Sequence, residues 1–127
     1  MLTERECRTL DSPDRRYSVD VEGPGRGDRR RWPDLVIERP VGRLAVELEF
    51  TPKWTQRLES IMAGYAHSDY REVRWLVTLP TLAARITQLA RLQTHHVAAT
   101  SPTIRVTAWP QLPAEARERI AAAARGA

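Results

Sequence analysis

The sequence predicts an α/β fold in which helices flank a mixed central sheet, in the order helix, three strands, helix, strand, helix, strand, helix. Three observations carry this prediction. Apolar and acidic residues alternate on either side of a turn at 34–38 and 44–50. Apolar residues recur at helical spacing over 52–67 and 81–94. A run rich in Val, Trp and Leu at 72–79 separates these two helical stretches and reads as a buried strand. At 127 residues the chain fits one domain, residues 1–127, with a single core.

Thr3-Glu4-Arg5-Glu6 is a capping box, because the Thr3 hydroxyl and the Glu6 carboxylate can each satisfy an exposed amide at a helix start. The short helix that follows runs to about Leu10, where Ser12-Pro13-Asp14 breaks it. Residues 17–21 alternate in the manner of a strand. Gly23-Pro24-Gly25-Arg26-Gly27-Asp28 is a connection, and without a following lysine and hydroxyl it is not a phosphate-cradling P-loop. Pro33 cannot donate to a ladder, so the second strand begins at Asp34 and reaches about Glu38. Pro40-Val41-Gly42-Arg43 turns the chain into the third strand, residues 44–50.

Thr51-Pro52 starts the next helix, with Thr51 as its N-cap and Pro52 in the first turn. Its apolar face is Trp54, Leu58, Ile61, Met62 and Tyr65. A strand at 72–79, a helix at 81–94, a strand at 103–109 and an alanine-rich helix opened by Pro113 and ended by Gly126 complete the order.

Composition narrows the function classes. The chain holds 42% apolar and 28% charged residues, as soluble globular proteins do. No apolar run approaches the roughly 20 residues of a membrane span, and the N-terminus lacks the apolar core of a signal peptide. A cytoplasmic protein without a membrane partner is therefore expected. Cys7 is the single cysteine, which precludes an intrachain disulfide. His95 and His96 are adjacent and point apart, and His67 is distant in sequence, so no zinc-ligand set is apparent. No nucleophile elbow is present. Trp32, Trp75 and Trp109 adjoin strand sequence and are expected to pack.

The net charge of +4 rests on 20 basic residues, of which only Lys53 is a lysine. Arginine clusters, Arg29-Arg30-Arg31 among them, suit contact with a phosphate backbone and point to DNA as a partner.

The hairpin at 34–50 concentrates the chemistry. A register that keeps Leu35 and Ile37 with Val46 and Leu48 puts Asp34 on the same face as Glu47 and Glu49. Opposed side chains lie roughly 5 to 8 Å apart, so three carboxylates converge. Like charges at that separation raise one another's pKa, and a divalent ion with oxygen ligands, Mg²⁺ or Mn²⁺, would offset them. The helix start at Pro52 and the Lys53 ammonium could meet a phosphate there. The polar helix face of Lys53, Gln56, Arg57 and Ser60 offers a backbone track beside it. The plainer alternative is an exposed acidic face paired with arginines.

Pro33-Asp34 followed by Glu47-Leu48-Glu49 in this element order resembles the PD-(D/E)XK nuclease superfamily. Thr3-Glu4-Arg5-Glu6, Trp32-Pro33-Asp34-Leu35-Val36-Ile37, Val46-Glu47-Leu48-Glu49, Thr51-Pro52-Lys53 and Gly64-Tyr65 are more closely similar to the nuclease-like half of plasmid replication-relaxation proteins. The likeness spans about residues 2–92. It implies a restriction-endonuclease-like core (αβββαβ) extended by a C-terminal strand and helix, and a Mg²⁺-dependent DNA endonuclease. The resemblance assigns the metal to Asp34 and Glu47, with the Leu48 backbone carbonyl and Glu49 as further ligands, and matches Glu6 or Glu4 to an acid from the first helix.

Glu49 stands where the superfamily has its lysine, and Lys53 would take over that role from the helix. DNA contacts are assigned to Lys53, Gln56, Arg57, Arg30 and Arg31. Cutting both strands would need two copies, which makes a homodimer compatible with the reading. Two alternatives come from other classes: a DNA-binding or assembly module of the same fold without turnover, and a protein-interaction domain with an acidic face.

Overall fold

The computed structural model describes residues 1–12, 15–21, 30–50, 55–94, 102–109 and 113–124. The expected Gly-rich connection at 23–28, the helix start at Thr51 and Pro52, Lys53, His95, His96 and the stop at Gly126 lie outside the described residues.

The first helix, α1 (Glu4–Leu10), forms on its capping box. Thr3 Oγ1 accepts the Glu6 amide at 3.3 Å, and Glu6 Oε1 accepts from the Thr3 amide at 3.5 Å and the Thr3 hydroxyl at 3.1 Å. Immediately before it, Leu2–Thr3 forms a two-residue strand, β1. A two-residue strand at Val19–Asp20 is β2, and another at Arg30–Arg31 is β3. The hairpin strands are β4 (Leu35–Ile37) and β5 (Leu44–Glu49). Then follow α2 (Thr55–Ala66), β6 (Glu72–Val77), α3 (Pro80–Thr94), β7 (Thr103–Ala108) and α4 (Ala114–Ala124).

The central sheet is mixed, in the order β1-β4-β5-β6-β7. Its β1·β4 and β4·β5 pairings are antiparallel, while β5·β6 and β6·β7 are parallel. The two parallel steps each need a crossover, which α2 and α3 supply. The hairpin turns on an Arg39 carbonyl that accepts the Gly42 amide at 3.0 Å, and Gly42 has φ 127°, a conformation that favours glycine.

The α/β class with a mixed sheet is thus the observed one, but the three-strand run after α1 is divided differently. Residues expected to form the first of those strands leave the central sheet, and Val19 and Asp20 instead pair with Arg31 and Arg30 in a separate ribbon. Side chains explain the departure. The Tyr17 amide donates to Asp11 Oδ1 at 2.7 Å and the Tyr17 carbonyl accepts the Tyr70 hydroxyl at 2.5 Å, so Tyr17's backbone groups are satisfied without a ladder. The position beside β4 goes to β1, as Leu2 faces Val36 and Thr3 faces Leu35.

One face of the sheet makes the core. Val36, Ala45, Val73, Trp75 and Val77 pack with Leu58, Ile61, Met62 and Tyr65 of α2 and with Leu82 and Ile86 of α3. The opposite set expected as the continuous apolar face, Leu35, Ile37, Val46 and Leu48, is only half-buried. The crossover helices bring their apolar stripes to the other side, so burial follows the helices rather than the hairpin's own alternation. Trp75 is fully buried, and Trp32 packs against the core with the guanidinium groups of Arg8 and Arg30 over its ring. Trp109 departs from the packing expectation, with 47% of its surface exposed.

Candidate functional site

The hairpin register brings two of the predicted carboxylates together. Leu35 pairs with Val46 and Ile37 with Leu44, and continuing that register by one residue sets Asp34 across from Glu47. Asp34 Oδ2 accepts the amide of Leu48 at 2.7 Å, which ties the carboxyl to the strand that carries Glu47. Burial pushes the Asp34 carboxyl up to about 7, and the Glu47 carboxylate beside it pushes the same way. Asp34 therefore keeps its proton up to near-neutral pH beside a Glu47 carboxylate.

Glu47 is fully buried and is held by two groups from distant parts of the chain. Arg31 of β3 places Nη2 at 2.6 Å from Oε2 and Nε at 3.4 Å from Oε1. The hydroxyl of Tyr65, on α2, donates to Oε1. Burial pulls the Arg31 guanidinium down, but the charge and hydrogen bond of Glu47 more than reverse that and hold it above its ordinary value. The Tyr65 hydroxyl is held far above its usual range by burial first and then by Glu47. Tyr65's ring is fixed edge-on between Tyr70 and Trp75, at centroid separations of 5.8 and 5.7 Å.

The other predicted site residues are placed as follows. Glu49 shares Glu47's face and is 3% exposed. Among the described residues, no three His, Cys, Asp or Glu side chains are grouped to hold a metal, so the expected convergence reduces to a pair. Glu6 is engaged in the cap of α1, and Glu4 accepts from Arg8 at 2.7 Å. Helix α1 reaches Asp34 through the Glu4 amide, which donates to the Asp34 carbonyl at 3.1 Å, and not through a carboxylate. The Leu48 amide serves Asp34, as above. Gln56 and Arg57 lie on the exposed side of α2, opposite Leu58, Ile61, Met62 and Tyr65.

Neighbours in a strand point to opposite sides, and this separates Arg30 from Arg31. Arg31 turns to Glu47, whereas Arg30 bonds Ser18 Oγ at 2.8 Å, pairs with Asp11 and stacks on Trp32. Arg30 and Arg31, both assigned to DNA from the sequence, therefore face different surroundings, and the Arg30 side chain stays 42% exposed.

Sequence reasoning assigned Arg31 to DNA and Tyr65 to packing, and so missed both as partners of Glu47. The signal for Tyr65 was a hydroxyl on an otherwise apolar helix face, since a buried tyrosine seeks an acceptor. Nothing local signalled Arg31's partner, which lies sixteen residues away.

The donors fit a hard divalent ion in type, because Asp34 and Glu47 are both oxygen ligands and their shared negative charge is what such an ion offsets. The ion would meet Arg31, which already serves Glu47. The described helices include none long and apolar enough to cross a membrane. Comparison with family models, curated proteins and solved structures gives no match to this chain, so the site is read from its own geometry.

Proposed function

We propose that this is a PD-(D/E)XK-type domain that hydrolyses DNA phosphodiester bonds with Mg²⁺ or Mn²⁺, resembling the nuclease-like part of plasmid replication-relaxation proteins. The observation that supports it is the placement of Asp34 and Glu47 side by side by the hairpin register, with Asp34 pushed up to about 7 by burial and by its neighbour. Asp34 and Glu47 would hold the ion. Such an ion supplies Lewis acidity toward a phosphate and makes a bound water more acidic. Tyr65 fixes the orientation of the Glu47 carboxylate, and the Leu48 amide fixes that of Asp34. Glu49, on the same face but outside that pair, is the proton acceptor in this reading. Arg57 of the following helix and Arg31 beside the pair are the cations offered to DNA phosphates, together with Lys53 from the sequence that precedes the described part of α2.

Nicking of supercoiled plasmid with Mn²⁺ tests the proposal. Cutting by the native chain that disappears in Asp34→Ala supports it, and no cutting at any metal concentration refutes it.

A specific observation favours a second reading. The chain's own Arg31 neutralises Glu47, and a glutamate occupies position 49 where the superfamily has lysine. Both features suit a DNA-binding or assembly module without turnover. Salt-sensitive binding to DNA without cleavage is its signature.

A further inference from the structure

An ionised carboxylate offers about four acceptor sites, two on each oxygen. At Glu47 the chain uses most of them. Tyr65 and Arg31 Nε both donate to Oε1, Arg31 Nη2 donates to Oε2, and the Asp34 carboxyl lies against the same group. Any cation shared by Asp34 and Glu47 meets a Glu47 carboxylate most of whose lone pairs are already committed. It would also sit beside a guanidinium, and two cations at one buried carboxylate repel strongly where water does not screen them. Tyr65 is locked by its ring contacts inside the core, so its hydroxyl cannot withdraw without opening that core. The Arg31 side chain is 21% exposed and stands on a two-residue strand, so it has a route to solvent.

We infer that Arg31 is a displaceable internal counter-cation of Glu47, so that a divalent ion loads at Asp34 and Glu47 only in competition with the Arg31 guanidinium. This rests on the metal-dependent reading above and deepens it. When displaced, the guanidinium keeps its planar set of donors, and these match a phosphate diester as they matched the carboxylate. Arg31 then acts as a positioning residue: it holds Glu47 in place before loading and faces the backbone of DNA afterwards.

Mn²⁺ binding by calorimetry separates the possibilities, using the full chain, Arg31→Gln and Asp34→Asn. The expected result is that Arg31→Gln binds Mn²⁺ at least about tenfold more tightly than the native chain. Mn²⁺ should also raise the melting temperature of Arg31→Gln more than that of the native chain, because the ion then compensates the Glu47 charge. Equal or weaker binding by Arg31→Gln, with native binding lost in Asp34→Asn, overturns the inference and leaves the metal site standing. Binding that Asp34→Asn does not alter, or no binding by any variant, removes the metal site and the inference together. If Arg31→Gln does not fold, Arg31→Lys serves, since it keeps the charge but loses the fork. Tighter Mn²⁺ binding by Arg31→Lys supports the exchange, and unchanged binding overturns it.

Discussion

Gly64 and Asp20 touch backbone to backbone: a Cβ built on Gly64 would lie 2.5 Å from the Asp20 carbonyl oxygen. This contact seats the β2·β3 ribbon on α2. Glycine inside a helix normally weakens it by roughly 0.5–1 kcal/mol relative to alanine. At this position the order reverses, because the obstructing atom is main chain and has no rotamer to yield. Gly64→Ala is therefore expected to lower stability by about 1–3 kcal/mol, the range of overpacked cores. Urea denaturation measures it, and a variant as stable as the native chain would show that the ribbon can slide.

The Asp34 carboxyl makes stability depend on pH in a defined direction. Its ordinary value is 3.8 and the folded value is about 7, so between those two the unfolded chain has released a proton that the folded chain retains. Stability consequently falls as pH rises through that window, by at most about 1.4 kcal/mol per pH unit, and levels off above it. Asp34→Asn keeps an acceptor for the Leu48 amide but has no proton to release. Its stability relative to the native chain should climb steadily from about pH 4 to about pH 7. Melting curves at several pH values check this, and a constant offset between the two proteins would contradict it.

Tyr65→Phe isolates one hydrogen bond in the core. Phenylalanine preserves the edge-on contacts with Tyr70 and Trp75 and removes only the donor to Glu47 Oε1. A buried acceptor deprived of its donor costs about 1–3 kcal/mol, which is the expected loss. Denaturation with an unchanged dependence on urea concentration would confirm that the fold is intact. A loss below about 0.5 kcal/mol would mean that Arg31 alone satisfies Glu47.

Local chemistry made much of this structure legible in the sequence. The capping box gave α1 its start at Thr3, and the alternation at 34–38 and 44–50 gave the hairpin register that unites Asp34 with Glu47. Both depend on residues close in sequence. What escaped depends on distant partners. Residues 17–21 alternate like a sheet strand, yet Asp11 and Tyr70 take up the backbone groups of Tyr17. The apolar alternation of the hairpin named the wrong face as the core, because α2 and α3 decide which side is covered. Arg31 looked like surface charge until the ribbon folded it back onto Glu47.

Arg30 and Arg31 are consecutive, but only one of them is anchored to the ribbon's own surroundings. Arg30 is fastened to Ser18, Asp11 and the ring of Trp32. That anchorage ties the β3 backbone to its surroundings independently of Arg31. Release of Glu47 then requires rotations about the bonds of a single arginine side chain and no rearrangement of secondary structure. The inferred exchange thus rests on one side chain and leaves the β2·β3 pairing in place.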